Sequence, residues 1–411
     1  MEIIRDKYIK KICIYKDTDF IKIITGIRRC GKTTIMKQYI NSLDIDKQYI
    51  LYIDMEKEIN SQYRDVNKLQ TYIDSYFKSK KNNKFYLFID EVQEIVDFEK
   101  YILSLYNSKK FDIYITGSNS HLISSQLATR FTGREAQINI FPFSYQEFIE
   151  SIGQENNSES LSEYLNVGGM PALLNFREHE VEFNDLSLAI VNNVINKDLI
   201  PFFNIKNPTI FKDLLKYCFS IVGNITSSSS ISNFLLSQKI TELNNHTTID
   251  NYIKSMCDGY LLYKCERFNI NGKSVLKSKY KLYAVDLGLA NTYANLKSNI
   301  NIGRKLENIV FFELKRRGYI VYIGNIIHKD SKEKTTKTLE IDFVAIRNKK
   351  VIYIQVCDDL TNQTTIDREV YPLNLVHDGL RIIINNSNIN KFDSGIEYID
   401  IKKWINKEES L

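Results

Sequence analysis

Short apolar runs bounded by turn residues recur through the first third of the chain, at 20–25, 48–53, 85–89, 112–116 and 136–140. Between them, apolar residues return every three or four positions. Continuous apolar strands alternating with amphipathic helices predict a parallel sheet, buried on both faces and wound with crossover helices. The pattern changes after Pro142. Residues 153–160, Gly-Gln-Glu-Asn-Asn-Ser-Glu-Ser, are polar and read as an exposed loop. From Thr209 to Gly259 the periodicity is that of short helices, the second opened by the Ser-rich stretch Ser227–Ser230. Residues 260–284 alternate like a hairpin. A last α/β segment begins near Gly303: helix 303–317, strands 319–323, 339–346 and 351–357, helix 364–376, strand 380–384. The chain has no internal repeats.

At 411 residues and 43% hydrophobic content the chain can fill the cores of two to four domains. The 55 basic residues are interspersed with 50 acidic ones, so the net +5 gives no chain-wide nucleic-acid footprint and leaves room only for a local basic patch. Six cysteines are scattered without a C-x-x-C pair, which indicates neither a zinc site nor a disulfide framework. No apolar run approaches the ~18 residues that span a bilayer, and the N-terminus lacks a secretory apolar core. A cytoplasmic protein is expected, without membrane partners.

The first run, Phe20–Thr25, leads into Gly26-Ile27-Arg28-Arg29-Cys30-Gly31-Lys32-Thr33-Thr34, and a helical pattern follows. This is the G-x-x-x-x-G-K-[ST] phosphate loop between the strand and helix it requires. Gly26 and Gly31 let the backbone curl so that amide N–H groups face phosphate oxygens. Lys32 supplies a charge for the β- and γ-phosphates, and the Thr33 hydroxyl can ligate Mg²⁺. Arg29, Cys30 and Thr34 complete the residues expected to line ATP, although Cys30 also reads simply as a small side chain. Chance produces such a match in roughly one chain per hundred of this length, and the flanking elements make it rarer.

The third run, Phe85–Ile89, ends in Asp90-Glu91. Asp90 is expected beside Thr33 at the Mg²⁺, and Glu91 is expected to polarise the water that attacks the γ-phosphate. The fourth run ends in Thr116-Gly117-Ser118-Asn119-Ser120, where additional-strand ATPases place a water-orienting group. Ser118 and Asn119 are the candidates; a helix cap at Ser118 or Ser120 is the plain alternative. Arg130 and Arg134 precede the fifth run. Either can stabilise charge on the transferring phosphoryl, in its own or a neighbouring subunit, with Arg134 preferred.

Together these residues resemble a widespread prokaryotic family of AAA-type ATPases whose C-terminal part is a domain of unknown function. The resemblance covers nearly the whole chain and rests on Thr25–Thr33, Ile89–Gln93, Thr116–Ser120, Phe141–Phe148, Gly168–Pro171, Lys281–Leu289, Leu306–Asn308 and Glu340–Phe343. It implies an α/β P-loop NTPase with an additional-strand core at 1–148, a helical lid at 149–207, a winged helix at 208–290 and a restriction-endonuclease-like α/β domain at 291–411. Gly169 and Pro171 resemble the lid motif of signal-transduction ATPases, near the adenine; a turn between helices explains them equally well.

The helices around Ser229–Leu235 and Thr248–Met256, with a wing at Leu261–Tyr283, match a winged helix in order. The second helix is a poor DNA reader, because its outer face offers Asp250, Asn251 and Lys254. DNA and an unidentified protein are therefore both open as partners, and oligomers are possible. In the tail, Glu307, Asp342 and Gln355-Val356-Cys357 resemble the restriction-endonuclease site, which needs paired acids for Mg²⁺ and a lysine to activate water. Cys357 stands at the lysine position and Gln355 at the acid position, so a retained fold without cleavage is expected. The function expected overall is an ATP-hydrolysing switch, against two rivals: an ATP-dependent nuclease, and an ATP-gated scaffold that binds DNA or protein.

Overall fold

The five apolar runs become β1 (Ile21–Thr25), β2 (Ile50–Asp54), β3 (Phe85–Asp90), β4 (Phe111–Gly117) and β5 (Glu135–Asn139). In this computed structural model, which describes residues 3–80, 84–117, 131, 133–238, 246–295, 301–330 and 335–407, they form an all-parallel sheet in the order β2-β3-β4-β1-β5. Strand β4 is inserted between β1 and β3. The loop after β1 and the carboxylates after β3 therefore face each other across the end of β4. Ile23, Leu51, Ile53, Leu87, Ile89, Ile113 and Ile115 fill one face of the sheet, against Leu69, Ile73, Phe77, Ile102 and Leu105 of helices Val66–Phe77 and Phe98–Asn107.

On the opposite face of the sheet lies a buried polar pair. The Lys22 ammonium donates to Asp112 Oδ1, and both side chains are almost fully buried. Asp112 Oδ2 also accepts from Tyr114 Oη at 2.8 Å and from the Asp17 amide at 3.0 Å, while Lys22 Nζ donates to Thr18 O at 3.2 Å. Burial pulls the Lys22 ammonium below its ordinary pKa, and Asp112 opposes that shift. Such a pair is tolerable only because its remaining hydrogen-bonding positions are used.

The chain divides into two compact units. The first is Met1–Pro142 with Asn193–Asn204 and Asp258–Tyr260; the second is Phe143–Asn192 with Ile205–Cys257 and Leu261–Leu411. Along this stretch the first unit runs to Pro142 and the second begins at Phe143. In the second, Phe143–Phe148 acquires a plain meaning: Ser144 and Glu147 form a reciprocal capping box on helix Tyr145–Ile152. Helices Ser158–Val167 and Glu180–Asn193 follow.

Helices Pro208–Ser220, Ser228–Ser237 and His246–Asp258 then lead to the hairpin β6 (Leu262–Asn269) and β7 (Ser274–Ala284), in the order a winged helix would have. After helix Ile302–Arg316 come β8 (Ile320–Asp330), β9 (Thr335–Arg347), β10 (Lys350–Cys357), β11 (Leu380–Asn385), β12 (Lys391–Asp393) and β13 (Ile396–Asp400). The hairpin and these strands share one eight-stranded sheet, β12-β13-β11-β10-β9-β8-β6-β7. The joint is parallel pairing of β6 with β8, Arg267↔Ile323 to Asn269↔Asn325. No sheet boundary therefore falls at 290/291. Strand β8 runs well beyond the expected 319–323, and part of the contact with β6 uses that extra length.

Candidate functional site

The phosphate loop is held from below by its own strand and its neighbour. Gly26 sits at φ 146°, and a Cβ there would lie 2.2 Å from the Ile140 carbonyl oxygen, so no larger residue fits. Gly31, at φ 99°, caps helix Lys32–Ser42. Cys30 is fully buried with Sγ 3.5 Å from Ile140 O, and burial raises its thiol pKa. Its carbonyl accepts from Arg5 Nη1 at 3.3 Å. Arg29, at φ 69°, and Thr34 are exposed. The Lys32 ammonium is buried in the loop, donating to Gly26 O at 3.1 Å and Ile27 O at 3.4 Å.

Asp90 and Glu91 close β3 on the same side. Lys32 Nζ lies 3.9 Å from Glu91 Oε1. The Thr33 and Thr116 hydroxyls both bond the Asp90 carboxyl group, and Tyr52 Oη donates to it at 3.0 Å. Burial is the largest influence on Asp90 and pushes its pKa up against those bonds. Glu91 takes a left-handed φ of 55°, a conformation that costs a residue with a Cβ roughly 1–2 kcal/mol. Its amide donates to Thr116 Oγ1 at 2.9 Å, and Gln93 Nε2 donates to its carboxylate. Thr116, at the end of the inserted strand, therefore contacts both acids. Sequence reasoning passed over it in favour of Ser118 and Asn119, which lie outside the described residues, as does Arg130.

Arg134 is placed elsewhere. It precedes β5, whose Glu135 pairs with Ile21 at the start of β1, whereas the phosphate loop follows Thr25 at the other end. Five strand residues separate the two levels, about 17 Å. Arg134 is exposed, with its guanidinium carbon 5.9 Å from the Tyr106 ring centre. Action on a phosphate held by its own chain is thereby excluded, which corrects half of the expectation.

Gly169 and Pro171 belong to the second unit, where the Gly-Gly turn is used internally. The Gly169 amide donates to Asp286 Oδ2 at 2.7 Å, and the Leu289 amide donates to Asp286 Oδ1 at 3.0 Å. A Cβ on Gly168, at φ 71°, would meet the Asp286 carboxylate at 2.3 Å, and one on Gly169 would meet Phe143 O at 2.2 Å. Burial pushes the Asp286 carboxyl up to about 6. Pro171 starts the 3₁₀ turn Pro171–Phe176. The Gly168–Pro171 and Val285–Leu289 motifs are the two sides of this one contact.

The tail holds a cation that its own strands lack. Lys281 of β7 places its ammonium 2.8 Å from Glu307 Oε2, 2.8 Å from Glu340 Oε1 and 3.6 Å from Asp342 Oδ1. Asp342 Oδ2 accepts from the Val356 amide at 2.9 Å, and the Asp342 amide donates to Gln355 Oε1 at 2.8 Å. Burial and the Asp342 charge push Glu307 up to about 8; burial likewise raises Asp342. Cys357 is buried and its thiol is pushed up to about 11, so it stays neutral. Sequence reasoning found no ammonium here because it searched the neighbourhood of Cys357. The available signal was a lysine inside an otherwise apolar stretch, Tyr280–Ala284.

The inserted strand between a phosphate-loop strand and a strand ending in Asp-Glu defines an AAA-type P-loop ATPase domain, a fold that binds ATP. Residues 18–149 match the AAA domain family, and residues 158–300 match a domain of unknown function, DUF8612. The chain is 32% identical over 409 residues to an uncharacterized protein of Haemophilus influenzae, covering 98% of each. It is 30% identical over 399 residues to the uncharacterized protein MJ1544 of Methanocaldococcus jannaschii, covering 93% of this chain and 84% of that one. The chain belongs to this family of AAA-domain proteins with a C-terminal domain of unknown function. Among solved structures, the Walker-type ATPase PABY2304 of Pyrococcus abyssi is 14% identical with a TM-score of 0.49, covering 71% of this chain and 96% of that one. Among the described residues no helix is long and apolar enough to cross a membrane.

Proposed function

We propose that the chain hydrolyses ATP and uses the cycle to switch the arrangement of its second unit. The observation that carries this is Thr116, which holds Asp90 and the strained Glu91 backbone in one cluster facing Lys32. The loop amides of 26–33 and the Lys32 ammonium bind the phosphates. Thr33 and Asp90, already in contact, fit a Mg²⁺ site, and the ion would neutralise charge on the phosphate oxygens. Glu91 accepts a hydrogen bond from the attacking water and draws its proton away from the oxygen. Asn119 is the candidate to orient that water, and Arg130 or Arg134 the candidate to act on a neighbouring subunit's nucleotide. The Gly168–Pro171 turn is assigned to the junction with Asp286.

Chain connectivity supports the switch. Segments 193–204 and 258–260 leave the second unit and pack within the first. Asp198, on the π-helical turn Val194–Leu199, sets its carboxylate 3.6 Å from Nε of Arg28 in the phosphate loop. Leu199 packs where a Gly259 Cβ would be, 2.6 Å away. A loop that moves with its nucleotide thus pulls on chain that continues into the lid and the winged-helix region. In the tail, Lys281 is shared among three carboxylates and Cys357 is neutral, which favours a domain that does not cleave.

The test is ATP turnover by the full chain beside Glu91→Gln. The amide keeps the shape and loses the proton acceptor, so ATP should still bind while turnover falls on the order of 10²–10⁴-fold. Turnover at the parent rate would remove Glu91 from the mechanism.

A further inference from the structure

The charge of this protein is concentrated in one hairpin. Residues 262–284 carry Lys264, Arg267, Lys273, Lys277, Lys279 and Lys281 against the single acid Glu266. Outside it, 49 basic residues face 49 acidic ones, so the whole formal charge of +5 resides there. Three of the six are used internally: Lys281 by the tail carboxylates, Arg267 by Asn325, and Lys273 by Asp378 at 3.6 Å. Lys264, Lys273, Lys277 and Lys279 are all exposed.

Backbone register shows how the last two are presented. Glu266 pairs with Tyr280, but the next residue, Arg267, pairs with Leu276. Lys277, Ser278 and Lys279 therefore have no partner on β6 and bulge from β7. The foot of the bulge is pinned, because Tyr280 exchanges backbone hydrogen bonds with Thr226 at 2.8 and 3.0 Å. The Lys264 ammonium lies 4.2 Å over the Tyr280 ring, beside the same point. Among the described residues, neither Lys277 nor Lys279 is in an ion pair. Bulges of this kind re-aim side chains and end pairing, and they recur at functional edges.

We propose that this bulged strand, rather than helix His246–Asp258, is a contact surface for the phosphodiester backbone of nucleic acid. The exposed face of that helix offers His246, Thr247, Asp250, Asn251 and Lys254, whose lysine and aspartate cancel. Lysines without partners are what phosphate contacts need: each one neutralised releases counterions and adds to affinity without reading sequence. Protein interfaces favour aromatic residues, Met and Arg and are depleted in Lys; this patch is lysine and serine, with its tyrosine buried. The inference is independent of whether the chain hydrolyses ATP.

The test is fluorescence anisotropy of the full chain on duplex and single-stranded DNA of several sequences, from 50 to 200 mM salt. Lys277→Ala/Lys279→Ala should weaken binding equally on all sequences. It should also reduce the slope of log affinity against log salt by about 1.8 on duplex, or about 1.4 on single strands; the probe on which that reduction is seen is the form the bulge holds. Lys277→Gln/Lys279→Gln should do the same, and melting of both variants should match the parent. Lys254→Ala should leave the slope unchanged. The proposal is overturned by no parent binding at 50 mM salt or by an unchanged slope in the double variants. It is equally overturned if Lys254→Ala alone has as large an effect, or if polyglutamate competes as well as DNA at equal charge.

Discussion

Replacing Lys281 by Met tests what holds the tail together. The change keeps a long, unbranched side chain at a position only 4% exposed, and it removes the one ammonium shared by Glu307, Glu340 and Asp342. Breaking a buried ion pair by deleting one partner costs about 3–5 kcal/mol, because the other charge stays buried. A unit of this size loses about 2–4 °C of Tm per kcal/mol, so its transition should fall by roughly 6–20 °C at pH 8. The pH dependence has a definite sign. Burial and the Asp342 charge hold the Glu307 pKa at about 8, above its ordinary 4.5, with Lys281 pulling it down. A carboxyl raised in the folded state contributes stability that is present below about 4.5 and lost as pH rises through 8. Removing Lys281 raises the carboxyls further, so the deficit against the parent should be largest near pH 8 and shrink towards pH 5. Thermal melts of the full chain across that range, with Lys281→Met/Glu307→Gln as a partial rescue, give the measurement. A deficit below about 1 kcal/mol at pH 8, or one that grows on acidification, would refute the reasoning.

Thr116→Val keeps the shape of the β4 end and removes the hydroxyl shared by Asp90 and Glu91, so turnover should drop roughly 10–100-fold with ATP affinity near the parent; equal turnover would show that the acids do not need it. Arg134→Ala alone should slow hydrolysis without loss of ATP affinity, and mixing it with Lys32→Ala protein, which should not bind ATP, should recover activity if Arg134 serves a neighbouring subunit. No recovery would leave Arg134 without a catalytic role, since its own loop is out of reach. No cleavage of linear, supercoiled or branched DNA is expected with Mg²⁺ or Mn²⁺, with or without ATP; cutting that disappears in Asp342→Ala but survives Lys32→Ala would make the tail an enzyme.

The order of elements in the first unit was legible because most of its strands are largely apolar runs and the phosphate loop has a fixed spacing. Asp90 and Glu91 were legible for the same reason, being attached to the end of such a run. Thr116 was not singled out, since a threonine closing a strand looks like any other until the neighbouring strand is placed. Arg134 could have been judged by polarity alone: in a parallel sheet, a residue before one strand cannot meet a loop after its neighbour. The acids around Lys281 and the β6–β8 pairing had no local signal. Both depend on residues far apart in the chain that only the closed sheet brings together, and parallel pairing leaves no turn signature between its partners.

The shared sheet also limits how this protein can be divided or inherited. A chain ended at residue 290 would leave β6 without β8 and bare Lys281 of its acids. A tail begun at 291 would expose the β8 edge and strand Glu307 and Asp342 without their cation. Exposed edges of that kind invite pairing with other chains. The hairpin and the tail are therefore one heritable piece: recombination that separated them would yield two aggregating fragments rather than two modules. A gene fusion that borrowed this tail would have to carry the helices and hairpin before it.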